Sequence, residues 1–143
     1  MGFEIRQAEV KDLVWVNSTY KTIDFLPSTL ENEIVAIASI DNIKVGLGRI
    51  AVVDRHSCEL GGMYVNPEFR RKNVARKIVE YLLQHAQKRI IYCIPFTHLS
   101  SFYESFGFRK IKPDISTPQK IKKKLEFTKK TYKEPTLFLV MRR

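Results

Sequence analysis

Only two of the 143 residues are cysteine, Cys58 and Cys93. Two thiols do not make a disulfide-stapled scaffold. Neither stands at a zinc-site spacing from the other or from His56, His85 or His98. No apolar run reaches the ~18 residues that a membrane-spanning helix needs. The opening Met1-Gly2-Phe3-Glu4-Ile5-Arg6 lacks the charged-then-apolar pattern of a secretory signal. These absences predict a reducing, cytoplasmic location. No internal repeat or linker divides the chain. Acid is scarce in one half only: residues 1–59 hold 6 Lys/Arg against 9 Asp/Glu, and residues 60–143 hold 19 against 6. The surplus predicts something anionic for the C-terminal half. Nucleic acid, an acidic membrane surface, a phosphorylated cofactor and a carboxylate substrate all satisfy it.

What is present is core material. Hydrophobic residues make up 44% of the chain and aromatics 11%, enough for one globular core rather than a disordered segment. A single domain, residues 1–143, is expected. Phe3 to Gln7 reads as a first strand. Lys11 to Tyr20 reads as a helix with Leu13, Val14 and Trp15 as its apolar material. Glu33 to Ile40 and Ile43 to Val53 flank Asp41-Asn42, a hairpin signal. Cys58 to Val65 is a third strand, interrupted by Gly61-Gly62. Glycine inside a strand marks a bulge or a close backbone approach. Val74, Ala75, Ile78, Val79, Leu82, Leu83 and Ala86 recur at helical spacing. A buried strand at Arg89 to Ile94, a short helix at Leu99 to Phe106 closed by Gly107, and a strand at Phe108 to Ile111 follow. A basic helix over about Pro118 to Tyr132 precedes a last strand, Pro135 to Met141. Strands first, then alternating strands and helices, predict a mixed α/β sheet.

The informative stretch is Tyr64-Val65-Asn66-Pro67-Glu68-Phe69-Arg70-Arg71-Lys72-Asn73-Val74-Ala75. A strand leads into a basic loop, and the loop opens a helix. Unpaired N–H groups and the helix dipole favour an anion there, and Arg70, Arg71 and Lys72 add full charges. A pyrophosphate suits the loop; a solvated basic turn is the other reading.

Here the sequence resembles the GNAT acetyltransferase superfamily. Its pyrophosphate loop reads Gln/Arg-x-x-Gly-x-Gly/Ala after a lead-in of Val-x-Pro-x-Tyr/Phe. Val65 to Phe69 matches the lead-in, Arg70 the first loop position and Ala75 the last. Asn73 stands where glycine is usual, and Asn tolerates left-handed backbone better than most residues. Phe102-Tyr103-Glu104-Ser105-Phe106-Gly107-Phe108 is similar to the family's Leu/Phe-Tyr-x-x-x-Gly-Phe. Phe96 stands seven residues before the tyrosine, where the family often has Asn. Ile5 to Leu13 is similar to the family's opening Ile-Arg-x-Ala-x-x-x-Asp-Leu. Leu139-Val140-Met141 fits its closing strand.

The resemblance implies an α/β domain with a mixed, mostly antiparallel sheet, flanking helices and a splayed central strand pair. It implies acetyl-CoA as co-substrate and no metal. The pantetheine arm would run along Met63, Tyr64 and Val65, and the pyrophosphate would rest on Arg70, Arg71, Lys72, Asn73, Val74 and Ala75. A primary amine would attack the thioester directly, with a backbone N–H near Met63 facing the oxyanion. Tyr103 would be the general acid for the thiolate, or an ordinary amphipathic-helix residue. Glu59 would be the general base, or a strand-end glutamate. Cys93 reads as a core thiol. Seven lysines between Pro118 and Lys133 make an electropositive rim or a solvated face. Their place is similar to the Lys-rich helix of bacterial N-acetylglutamate synthases, which makes an acidic amino acid a candidate acceptor. A CoA-binding module without catalysis and a basic nucleic-acid-binding module stay open. The oligomeric state is open too, a homodimer included.

Overall fold

Asp41 and Asn42 both have positive φ, 48° and 67°. Two such residues make the type I′ turn that matches strand twist. They close the hairpin of β2 (Glu33–Ile40) and β3 (Ile43–Val52), with Ile40 opposite Ile43 and Ala36 opposite Gly48. β1 (Phe3–Gln7) pairs antiparallel with β2, from Phe3 opposite Ile40 to Gln7 opposite Ala36.

The computed structural model describes residues 2–143. They fall into two compact units, residues 2–51 with 62–87, and residues 52–61 with 88–143. β4 (Ser57–Val65) contributes to both.

In the first unit the strands run in the order β1-β2-β3-β4. α1 (Leu13–Thr22) buries Val16 and Tyr20 completely against Ala8, Val35, Ile37 and Leu47. The expected apolar set Leu13, Val14 and Trp15 is corrected here: Val14 is 84% exposed, and Leu13 and Trp15 are half-buried. Consecutive helical residues point about 100° apart, so three in a row cannot share one face; Val16 and Tyr20, four apart, do. α2 (Val74–His85) buries Val74, Ile78, Val79 and Leu82, a narrower stripe than the sequence periodicity predicts. Asp12 anchors the start of the chain. It is 2% exposed and accepts both guanidinium N–H groups of Arg6 at 2.8 Å, and the Glu9 N–H as well.

In the second unit the order is β4-β5-β7-β6. Ser57 to Leu60 of β4 pairs parallel with β5 (Ile90–Cys93), the parallel sense that a crossover through a helix allows. β7 (Leu139–Arg142) lies antiparallel between β5 and the two-residue β6 (Arg109–Lys110). α3 (Ser100–Glu104) is shorter than predicted, because Leu99 falls in a 3-10 turn, Thr97–Leu99, and Ser105 and Phe106 fall in the turn that closes the helix. It ends where Gly107, at φ 107°, donates to the Glu104 carbonyl. The final strand starts at Leu139 rather than Pro135, although Thr136 makes an isolated bridge with Phe96. α4 (Gln119–Thr131) buries Ile121 and Thr128. Among the described residues the seven strands are mixed and mostly antiparallel, with four α-helices, as the sequence predicts.

Candidate functional site

The basic loop in the first unit is built from its backbone outward. Asn66 donates its N–H to the Val45 carbonyl, and its side chain accepts from Glu68 N–H. A 3-10 turn, Pro67–Phe69, then delivers an extended Arg70. Arg71 (φ 65°) and Asn73 (φ 61°) are both left-handed. Asn73 is the N-cap of α2, and its carbonyl accepts from Lys77 N–H at 3.1 Å. Its side chain makes no cap, which leaves the first N–H groups of α2 free of a side-chain partner at that position. Left-handed Asn73 followed by helical Val74 turns successive N–H groups to one side, the geometry of an anion-binding nest. Arg70, Arg71, Lys72 and Asn73 are exposed, Ala75 is half-buried, and Val74 is 2% exposed and anchors the helix. No carboxylate among the described residues pairs with Arg70, Arg71 or Lys72. The left-handed Asn73 is the conformation that its residue type anticipates. The left-handed Arg71 has no sequence signal, since long side chains rarely adopt it.

Upstream of the loop, Gly62 has φ 60° inside β4. Its carbonyl accepts from the buried Tyr20 hydroxyl at 2.8 Å, and Arg49 lies over that ring, 4.5 Å from its centroid. Arg49 also donates to the Leu26 carbonyl. Met63, Tyr64 and Val65 follow, all half-buried, with Tyr64 packed on the cluster that holds Tyr20.

Glu59 and Tyr103 lie in the second unit. Glu59 is opposite Tyr92, one step before the pairing of β4 with β5 ends at Leu60 opposite Cys93. The carboxylate is 11% exposed, and its Oε2 is 2.6 Å from Nζ of Lys124 on α4. Sequence reasoning missed this partner, which is 65 positions away. A signal was there: Ile121, Lys124, Leu125 and Thr128 fall at i, i+3, i+4 and i+7, so one lysine shares the buried face of α4. Tyr103 is 4% exposed, with its ring edge-on to Phe102 and Phe108. Burial pushes its phenol well above the ordinary value, and neighbouring Cys93 adds to that. Among the described residues no side chain or backbone group hydrogen-bonds its hydroxyl. Cys93 is fully enclosed; burial drives its thiol up, the Glu59 carboxylate adds to the shift, and Lys124 opposes it. Cys93 is thus a protonated core thiol. Phe96 stacks on His98 and stands edge-on to Tyr132. His98 lies 3.3 Å from Glu134. Among the described residues no three His, Cys, Asp or Glu side chains are grouped to hold a metal ion. No described helix is long and apolar enough to cross a membrane.

A family model, the acetyltransferase (GNAT) domain, matches residues 31–110. The chain therefore belongs to the GNAT acetyltransferase family. No curated protein matches it in sequence. Among solved structures it is similar to N-acetylglutamate synthase from Neisseria gonorrhoeae complexed with coenzyme A and N-acetyl-glutamate (TM-score 0.78, 16% identity), over 99% of this chain and 35% of that one. It spans about a third of that relative's length. A Mycobacterium tuberculosis protein in complex with CoA gives TM-score 0.78 and 18% identity, over 98% of this chain and 99% of that one. A GNAT family acetyltransferase from Elizabethkingia anophelis with acetyl-CoA bound gives TM-score 0.71 and 15% identity, over 99% and 98%. At these identities the structures speak for the fold.

Proposed function

We propose that residues 1–143 act as one N-acetyltransferase domain, moving acetyl from acetyl-CoA to the primary amine of a small molecule. The observation that carries this reading is the loop: left-handed Arg71 and Asn73 at the N-terminus of α2, within a chain of the GNAT family. The pyrophosphate takes the N–H groups and cations from Arg70 to Ala75. The pantetheine arm follows the backbone of Met63 to Val65. Glu59 takes a proton from the acceptor ammonium, the amine attacks the thioester carbonyl, and Tyr103 gives its proton to the departing thiolate. A buried phenol held above its usual range is protonated at neutral pH, as a proton donor must be. No acyl-enzyme forms. An acidic amino acid is the acceptor we favour. The lysines of α4 support it, and the gonococcal synthase, of the same fold, is complexed with N-acetyl-glutamate.

Thermal unfolding with and without acetyl-CoA tests the reading. A ligand at 100 times its dissociation constant stabilises by about 2.7 kcal/mol, a rise in midpoint of roughly 5–10 °C for a chain of this size. An amine panel starting with glutamate, with release of free CoA thiol as the readout, follows. No rise with acetyl-CoA would overturn the cofactor site, and the basic-surface binding module would replace it.

A further inference from the structure

The Lys124 ammonium sits 2.6 Å from the Glu59 carboxylate, in charge-assisted hydrogen-bond contact. Under the proposed function, a primary amine in that contact is what the enzyme acts on. Lys124 is held there by the buried face of α4, between Ile121 and Thr128. Its side chain is 35% exposed and the carboxylate 11%, so the pair is sheltered but reachable. No other described lysine ion-pairs with Glu59, although α4 carries five Lys besides.

We propose that Lys124 is an intramolecular acceptor, a self-acetylation site that the enzyme modifies when no other amine is present. This rests on the reading of Glu59 as the base. The ε-ammonium gives one proton to Glu59. The free amine attacks the thioester carbonyl of acetyl-CoA, a C–N bond forms and the C–S bond breaks. The second amine proton balances the one that Tyr103 gives the thiolate, so CoA leaves as the thiol and Glu59 returns its proton to solvent. The product, a neutral amide, can no longer pair with Glu59. An external acceptor competes with Lys124 for the same carboxylate, so it slows the modification.

The test incubates the full chain with acetyl-CoA and no amine, and follows each lysine by peptide mass spectrometry. Lys123, one position along and exposed, is the internal reference for uncatalysed acetylation. Lys124 is expected to react at least about tenfold faster than Lys123, at a rate per molecule independent of protein concentration. Glu59→Gln is expected to erase that excess, since a general base contributes about 10²-fold or more. Lys124→Arg keeps the cation but not a nucleophile, and is expected to leave no preferred lysine. Equal rates at Lys124 and Lys123, or an excess that survives Glu59→Gln, would overturn the proposal. The two readings separate cleanly. If Glu59→Gln abolishes turnover of an external amine while Lys124 stays unmodified in the native sequence, the base stands and only self-acetylation falls. If Glu59→Gln leaves external turnover intact, the base reading falls, and the proposal with it.

Discussion

The Tyr20 hydroxyl donates to the Gly62 carbonyl at 2.8 Å, tying α1 to the one left-handed glycine of β4. A Cβ built on Gly62 would lie 2.6 Å from that hydroxyl and 2.8 Å from Arg49 Nε. On Gly61 the nearest atom is the Glu59 carboxylate oxygen at 3.5 Å, and φ is not positive. The adjacent glycines therefore differ in kind. Gly62→Ala is expected to destabilise by about 2–5 kcal/mol, from left-handed strain of about 1–2 and overpacking of about 1–3. Gly61→Ala is expected to fold normally. Paired thermal melts decide, and equal midpoints would remove the distinction.

Tyr20→Phe takes away only the hydroxyl. It leaves the Gly62 carbonyl short of a partner, at a cost of about 1–3 kcal/mol. The ring stays to pack on Val16 and Leu47. Denaturant midpoints for Tyr20→Phe and Gly62→Ala, alone and together, measure the coupling. Simple additivity would mean that the bond does nothing for the strand.

Asp12 makes stability depend on acid. The Arg6 guanidinium, ahead of the opposing effect of burial, holds its carboxyl far below the usual carboxylate range. A depressed folded-state value means that the stabilisation is fully present above the unfolded value, about 4, and is lost as pH falls below it. Asp12→Asn is expected to be less stable than the native chain by about 1–3 kcal/mol at pH 7. The gap should narrow below pH 4, as chemical denaturation across pH 2.5–7 would reveal. A gap independent of pH would sink the assignment.

Neither thiol is expected to react in the folded state. Burial pushes Cys58 up to about 11 and Cys93 well above its ordinary value, so little nucleophilic thiolate exists at pH 8. Iodoacetamide should leave the native mass unchanged over an hour and add two groups after unfolding. Cys93→Ala should keep acetyl transfer. Rapid native labelling at Cys93 would contradict its enclosure.

Tyr103→Phe is expected to lower kcat by about 10²–10⁴ without altering the acetyl-CoA-induced rise in midpoint. Loss of the rise together with the rate would assign Tyr103 to cofactor binding instead.

Much of this architecture is local and therefore readable. The hairpin at Asp41-Asn42, the helix from Val74 and the stop at Gly107 each depend on residues a few positions apart. The α1 face was misread because Leu13, Val14 and Trp15 stand together, and adjacency hides the four-residue step from Val16 to Tyr20. The loop from Arg70 to Ala75 was legible as an anion site through its charges and the helix behind it. Its second left-handed residue, Arg71, was not, since nothing in arginine favours that backbone. Lys124 was invisible as the partner of Glu59. The register that joins them belongs to α4 and β4 as packed, and seven lysines in one run conceal the one that turns inward.

The place of β7 sets a timetable. Leu139–Arg142 is the last of the seven strands to be synthesised, yet it lies between β5 and β6 and pairs with both. Every strand and helix of the first unit has emerged by residue 87. β5 must then wait through some fifty further residues, roughly 3–10 s of translation, with one edge unpaired and Ile91 and Tyr92 without their final neighbours. We expect the second unit to be where nascent chains recruit chaperones, and where a premature stop does its damage.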